Sequence, residues 1–148
     1  MNVLVKTDGA SRGNPGKAGI GIFIMKDDEV NVYKEFIGNA TNNVAEYIAF
    51  IRAIDILNVK PQDKIIFQSD SELMVNQING KYKVNNESLK ELKEEAINKL
   101  KNRFAGMWSI VHIPREENRE ADKLANEAID ESEKVNKVSV ENFQLNFK

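Results

Sequence analysis

The chain has no cysteine and only one histidine, His112, among its 148 residues. Without cysteine there is no disulfide framework, no thiolate chemistry and no cysteine-based zinc site. No apolar run approaches the length that crosses a bilayer. The opening stretch MNVLVKTDGAS lacks the basic start and apolar core of a secretory signal, so a soluble cytoplasmic protein is expected. Charge is not one-sided either. Twenty-one Lys and Arg against 23 Asp and Glu leave a formal net charge of −2, which neither demands nor excludes a nucleic-acid partner, because binding depends on where the cations lie. The glycine-rich GNPGKAG has no Walker spacing and no hydroxyl residue directly after Lys17, which excludes a P-loop. The 41% hydrophobic and 30% charged content is ordinary globular composition, and the length suits a single domain with a real core.

Hydrophobic periodicity orders the chain as β-β-β-α-β-α-α-β-α. Val3 to Asp8 alternates as a short strand ending at a carboxylate, and GASRGNPGKAG after it reads as a loop. Ile20, Ile22, Ile24 and then Val30 and Val32 repeat with period 2 around a Lys26–Glu29 turn, a hairpin. Val44, Tyr47, Ile48, Ile51, Ile54 and Leu57 repeat at helical spacing behind a Thr41-Asn42-Asn43 cap. Lys64–Asp70 is a strand, SELMVNQING a brief helix closed by Gly80, Glu87–Phe104 a longer amphipathic helix, and Met107–Ile113 a strand stopped by Pro114. Asn118 caps a last helix with Ala121, Leu124, Ala125, Ala128 and Ile129 on one face. This order predicts a mixed sheet with helices on its faces. We place one domain at 1–130 and a tail at 131–148. In the tail Val138, Val140, Phe143, Leu145 and Phe147 alternate like an extended strand, fit to pair with a sheet edge or a partner chain, or to stay disordered. A monomer is expected, with the tail as the one route to a dimer.

The chemistry is carried by Asp8, Glu46, Asp70 and Asp122. Asp8 and Asp70 end strands that, as neighbours, put both carboxylates at one sheet edge, where ligands of open α/β sheets gather. Glu46 and Asp122 lie in the first turns of two helices that can point to the same edge. Four converging acids repel unless cations sit between them, and oxygen-only ligands select hard ions such as Mg²⁺ or Mn²⁺. Two such ions about 4 Å apart are a device for in-line attack on a phosphodiester. Each acid also has a structural reading: Asp8 as a turn starter, Glu46 near a capping-box position, Asp70 as an N-cap and Asp122 as a solvated helix acid.

Together, TDGASRGNPG at 7–16, TNNVAEY at 41–47, QSDSELMVNQING at 68–80 and REENREADKLAN at 115–126 resemble the type 1 ribonuclease H family, in its compact form without the extra hybrid-binding domain. The four stretches stand in the family's order, each carries one expected acid, and the resemblance covers residues 1–130. It implies a ribonuclease H-like α/β fold, a five-stranded mixed sheet with helices on both faces, and endonucleolytic cleavage of the RNA strand of RNA–DNA hybrids. It further implies that Asp8, Glu46, Asp70 and Asp122 hold two Mg²⁺ ions, for which Mn²⁺ can substitute, and that the products carry 5′-phosphate and 3′-hydroxyl ends.

Substrate recognition is expected to go by shape, through exposed 2′-hydroxyls rather than base identity. Gly9 and Ser11 lie in the segment that offers close backbone approach, and Asn14, Asn42, Asn43 and Gln77 supply paired donors and acceptors. The resemblance places Asn14 and Ser71 near the RNA strand and Thr41 and Asn43 near the DNA strand. Helix capping is the alternative role for the asparagine pair.

Three departures from the family pattern stand out. The loop before Asp122 reads PREENRE and lacks the histidine many members carry, while His112 sits in a strand and reads as structural. Residues 81–103 hold seven cations against four acids, a net +3, which predicts modest, salt-sensitive affinity. Glu72 stands where glutamine is common. Two other readings compete: a nuclease of broader range that also accepts double-stranded RNA, and a nucleic-acid-binding module without catalysis.

Overall fold

The computed structural model describes the backbone of residues 1–145 and side chains through residue 134. The element order is β1 (Asn2–Gly13), β2 (Gly16–Lys26), β3 (Glu29–Ala40), α1 (Asn42–Ile56), β4 (Lys64–Ser69), α2 (Glu72–Ile78), α3 (Glu87–Phe104), β5 (Trp108–His112), a 3₁₀ turn (Arg115–Glu117) and α4 (Arg119–Leu145). The strands form one sheet in the order β3-β2-β1-β4-β5. β1–β2 and β2–β3 are antiparallel, and β1–β4 and β4–β5 are parallel. The sheet is therefore mixed, as the sequence order predicts, and β1 lies at its centre.

Strand parity divides the molecule into two layers of packing. Val3 and Val5 of β1, Ile22 of β2, Ile65 and Phe67 of β4 and Ile110 of β5 enter one core with Tyr47, Phe50, Ile51 and Ile54 of α1, Met74 and Val75 of α2, and Leu100 and Phe104 of α3. Phe67 is fully buried, edge-on to Phe50 at 4.9 Å and tilted against Phe104 at 6.4 Å. The opposite face receives α4, whose Ala121, Ala125, Ala128 and Ile129 are buried. Ion pairs rim this second interface: Lys34 with Glu127 and Glu131 at 3.1 and 2.7 Å, Arg12 with Asp130 at 2.7 Å, and Lys6 with Glu120 at 3.6 Å. Half-exposed pairs of this kind each add little, so they orient α4 more than they stabilise it.

Two expectations are corrected. The glycine-rich stretch after Asp8 is no loop. β1 runs through to Gly13 and β2 starts at Gly16, leaving only Asn14–Pro15 as the turn. Gly13, with φ +123°, and Gly16 close that turn, whereas Gly9 and Gly19 admit helices, because their missing Cβ atoms let helix backbone reach strand backbone. The tail is not an extended strand through 131–145: α4 continues unbroken to Leu145. No Gly or Pro follows Pro114 to stop it, and side-chain alternation does not outweigh a helix without a stop signal. Phe147 lies outside the described residues. Among the described residues no helix is long and apolar enough to cross a membrane.

Phe67→Ala removes the ring between α1 and α3 and is expected to cost about 3–5 kcal/mol. Urea denaturation followed by circular dichroism measures the loss.

Candidate active site

The site grows from the place where β4 stops. β4 ends at Ser69, opposite Thr7 of β1, so the next β1 residues face an opening instead of a parallel neighbour. The Gly9 N–H at that opening donates to the Glu46 carboxylate at 2.6 Å. Asp8 is 5% exposed and Glu46 7%, while Asp70, the first residue past β4, is partly buried. Carboxylate oxygens of Asp8, Glu46 and Asp70 lie within 4.8 Å of one another. Asp122, in the first turn of α4, lines the same cleft from the other face, and its charge adds to the repulsion on Asp8. All four line one open cleft of about 530 Å³.

Two positional expectations shift here. Asp8 does not end its strand but sits in its middle. Glu46 lies in the second turn of α1, not the first, and caps nothing: Thr41 Oγ1 accepts from Val44 N at 3.2 Å and is the cap. Asp70 is likewise no cap, because Ser71 Oγ takes that role for α2.

The electrostatics follow from burial and mutual repulsion. Burial, then the charges of Glu46, Asp70 and Asp122, push Asp8 up to about 10. Burial and then Asp70 push Glu46 up to about 8 against the Gly9 hydrogen bond. Asp70 is raised by burial, opposed by its hydrogen bond from Asn118 and by the nearby charges of Arg115 and His112. The four groups do not all ionise at neutral pH unless positive charge is supplied. Oxygen-only donors this closely spaced suit a hard divalent cation.

Of the residues expected around the acids, Gly9, Ser11, Asn42, Asn43 and Ser71 line the cleft. Ser11 is held by its N–H to Asn42 Oδ1 at 3.1 Å and its hydroxyl to Ala40 O at 2.7 Å. Asn14 and Thr41 stand outside the cleft wall. Asn14 Oδ1 accepts from Asn42 N at 3.1 Å and ties the β1–β2 turn to the start of α1. Gln77 is turned inward: it is 3% exposed and its Oε1 accepts from Tyr47 Oη at 2.6 Å. Its place three residues after Met74, on the buried side of α2, was the sequence signal for that. His112 lies in β5 as read, yet it is exposed.

Sequence reasoning missed three residues. Arg115 is the one cation among the described residues lining the cleft; it follows β5 at the sheet end that also presents Asp70. Asn126 lines the cleft one helical turn after Asp122 and donates Nδ2 to its carbonyl at 3.0 Å and its carboxylate at 3.3 Å. Asn118, fully buried, donates Nδ2 to Thr7 O at 2.9 Å and to Asp70 Oδ2 at 3.2 Å, and its carbonyl accepts from Asp122 N at 3.1 Å. Helical spacing from Asp122 pointed to both asparagines.

Comparison with known proteins places this geometry. The family described as Reverse transcriptase-like matches residues 6–128. The chain is 41% identical to the Ribonuclease HI of Halobacterium salinarum over 84% of its own length, and spans 63%, less than two thirds, of that protein. It is 33% identical to the Ribonuclease H of Clostridium botulinum, covering 87% of this chain and 96% of the relative. Its fold superposes on the crystal structure of LC11-RNase H1 in complex with an RNA/DNA hybrid with a TM-score of 0.79 at 38% identity, over 88% of this chain and 98% of that one. A match through all five strands and the first turns of α4, joined to relatives above 30% identity, settles descent: the chain belongs to the ribonuclease H family.

Proposed function

We propose that this protein is an endonuclease that hydrolyses the RNA strand of RNA–DNA hybrids with two bound Mg²⁺ ions, leaving 5′-phosphate and 3′-hydroxyl ends. The observation that carries the reading is the packing of three carboxylates within 4.8 Å, with Asp122 beside them, in an open cleft. The residues fit the ions: every donor is a carboxylate oxygen, and the raised Asp8 and Glu46 values mark negative charge that a dication would neutralise. Asp8, Glu46, Asp70 and Asp122 would hold them. When bound, such ions lower the pKa of an attacking water and stabilise charge on the departing 3′-oxygen.

The chain's own groups do the rest. The Gly9 amide fixes Glu46, Asn118 fixes Asp70, and Asn126 fixes Asp122, so the carboxylates meet the substrate without reorganising. Ser11, Asn42, Asn43 and Ser71 present short polar groups along the wall, suited to sugar hydroxyls and phosphate oxygens rather than base edges. Arg115 places a permanent cation beside Asp70, where an anionic phosphate would lie, in a loop that has no histidine. A relative of the same family bound to an RNA/DNA hybrid supports the substrate class.

Labelled RNA–DNA hybrid, double-stranded RNA and double-stranded DNA, each with Mg²⁺, Mn²⁺ or EDTA, test the proposal. Metal-dependent cutting of the hybrid's RNA strand is expected; hybrid binding without cutting would leave only a binding module. Asp70→Asn should lower hybrid turnover at least about 10³-fold with an unchanged circular dichroism spectrum. Arg115→Ala should lower kcat about 10²-fold while leaving the Mn²⁺ binding midpoint in place.

Metal-free stability should also carry the mark of the acids. Asp8 and Glu46 titrate higher in the fold than in the unfolded chain, so the fold loses stability as pH rises above about 4. The metal-free melting temperature should fall between about pH 5 and pH 9, and added Mg²⁺ should restore it. Asp8→Asn should flatten that fall, read by calorimetry. A steeper fall in the variant would contradict the repulsion.

A further inference from the structure

The reading of the four acids as a metal site leaves open what holds two helices, one on each face of the sheet, close enough for their carboxylates to meet Asp8. The glycines around Asp8 supply an answer. Gly21 is the cross-strand partner of Asp8 in the β1–β2 ladder, so both residues point to the face that α4 covers. A Cβ on Gly21 would lie 2.1 Å from Ala121 O, 2.7 Å from Ala125 N and 2.8 Å from Leu124 Cβ. The helix backbone thus rests on strand backbone at the residue just before Asp122. Gly19, two residues away on the same face, repeats the contact one turn later: its Cβ would lie 2.4 Å from Ala125 O. On the other face the next β1 residue, Gly9, gives α1 the same access, with a Cβ only 2.3 Å from Ala45 C and 2.4 Å from Glu46 N.

We propose that Gly21 is a positioning residue for the metal site: by lacking a Cβ it seats the first turn of α4 directly on β2 and so sets the distance from Asp122 to Asp8, as Gly9 does for Glu46 across the sheet. The role is one of spacing, not of backbone freedom, since neither glycine has a positive φ angle. A methyl group at Gly21 meets helix backbone, which cannot rotate out of the way as a side chain does. α4 is the element that yields. It is attached to the sheet through small side chains and a rim of partly exposed ion pairs, whereas β2 is held in ladders on both sides and backed by the core through Ile20 and Ile22. A retreat of roughly 1 Å toward ordinary contact distance would carry Asp122 away from Asp8 while the α1 side of the site stays assembled.

The inference rests on the metal reading above, and the test separates the two. In the full chain, Mn²⁺ binding by isothermal titration calorimetry and hybrid cleavage are measured for the wild type, Gly21→Ala, Asp122→Glu and the double variant. Gly21→Ala should weaken Mn²⁺ binding at least about tenfold and lower kcat more than it changes KM for the hybrid. Asp122→Glu lengthens the arm by about 1.5 Å, so it should impair the wild-type background and recover part of the loss in the Gly21→Ala background. A purely structural role for Gly21 predicts no such recovery. Should Gly21→Ala fail to fold, Gly19→Ala takes its place, moving the same helix with a smaller effect of the same sign and the same rescue. A folded glycine variant with wild-type Mn²⁺ binding and kcat, or a double variant no better than Gly21→Ala alone, would overturn the inference. A wild-type protein that binds no Mn²⁺ and cuts no hybrid would instead overturn the metal reading on which it stands.

Discussion

Setting Asp8, Glu46, Asp70 and Asp122 in one cleft places acids against one another in a half-buried space, and the rest of the structure is arranged to withstand their repulsion. The cost shows in the direction of the titrations: Asp8 and Glu46 hold their protons far above ordinary carboxylate values. A group of this kind destabilises the fold that contains it. It persists only where the surrounding packing is strong enough to impose it, and here that packing is the core under α1, α2 and α3. Phe67, Phe50 and the buried aliphatic residues of β1 and β4 hold the α1 side rigid, so Glu46 cannot move away from its neighbours by tilting its helix.

The fold brings the acids together by stopping one strand early. Because β4 ends at Ser69 while β1 continues to Gly13, the centre of the sheet opens on one side just after Thr7. An amide that would otherwise pair with a neighbouring strand is free to orient Glu46. The first residue beyond β4 is Asp70, and the turn beyond β5 presents Arg115 at the same end. Asn118 then joins three parts of the site through one buried side chain and its carbonyl: β1 at Thr7, the carboxylate of Asp70 and the first turn of α4. None of these contacts is strong alone. Their common effect is that Glu46 and Asp70 enter the cleft on side chains already held by a hydrogen bond.

Much of this was legible in the residues. Period-2 and period-3.6 patterns gave the order of elements, and the strand-end argument placed Asp70 correctly. Where the reading failed, local rules were outweighed by contacts made far along the chain. The glycines after Asp8 have the composition of a loop, but only Gly13 and Gly16 serve the tight turn, while Gly9 and Gly19 admit helices distant in sequence, so strand continues where loop was expected. Gln77 carries the right chemistry for a substrate contact, yet its position on α2 aims it at Tyr47 instead. The apolar alternation of the tail fits a strand on paper, but the chain there extends a helix already nucleated upstream.

By itself, the sequence determined which groups are available for chemistry: four acids and no thiol, short polar residues clustered in a few segments, and hydrophobic periods that allow one mixed sheet with helices on its faces. These are properties of residue type and spacing, and they survive any arrangement of the elements. Only the tertiary structure decided which of those groups share a cleft, that Arg115, Asn118 and Asn126 join them, and how close α1 and α4 come to Asp8. Those separations are set by backbone meeting backbone at Gly9 and Gly21, a contact between segments tens of residues apart or more, and no local pattern encodes the distance across it.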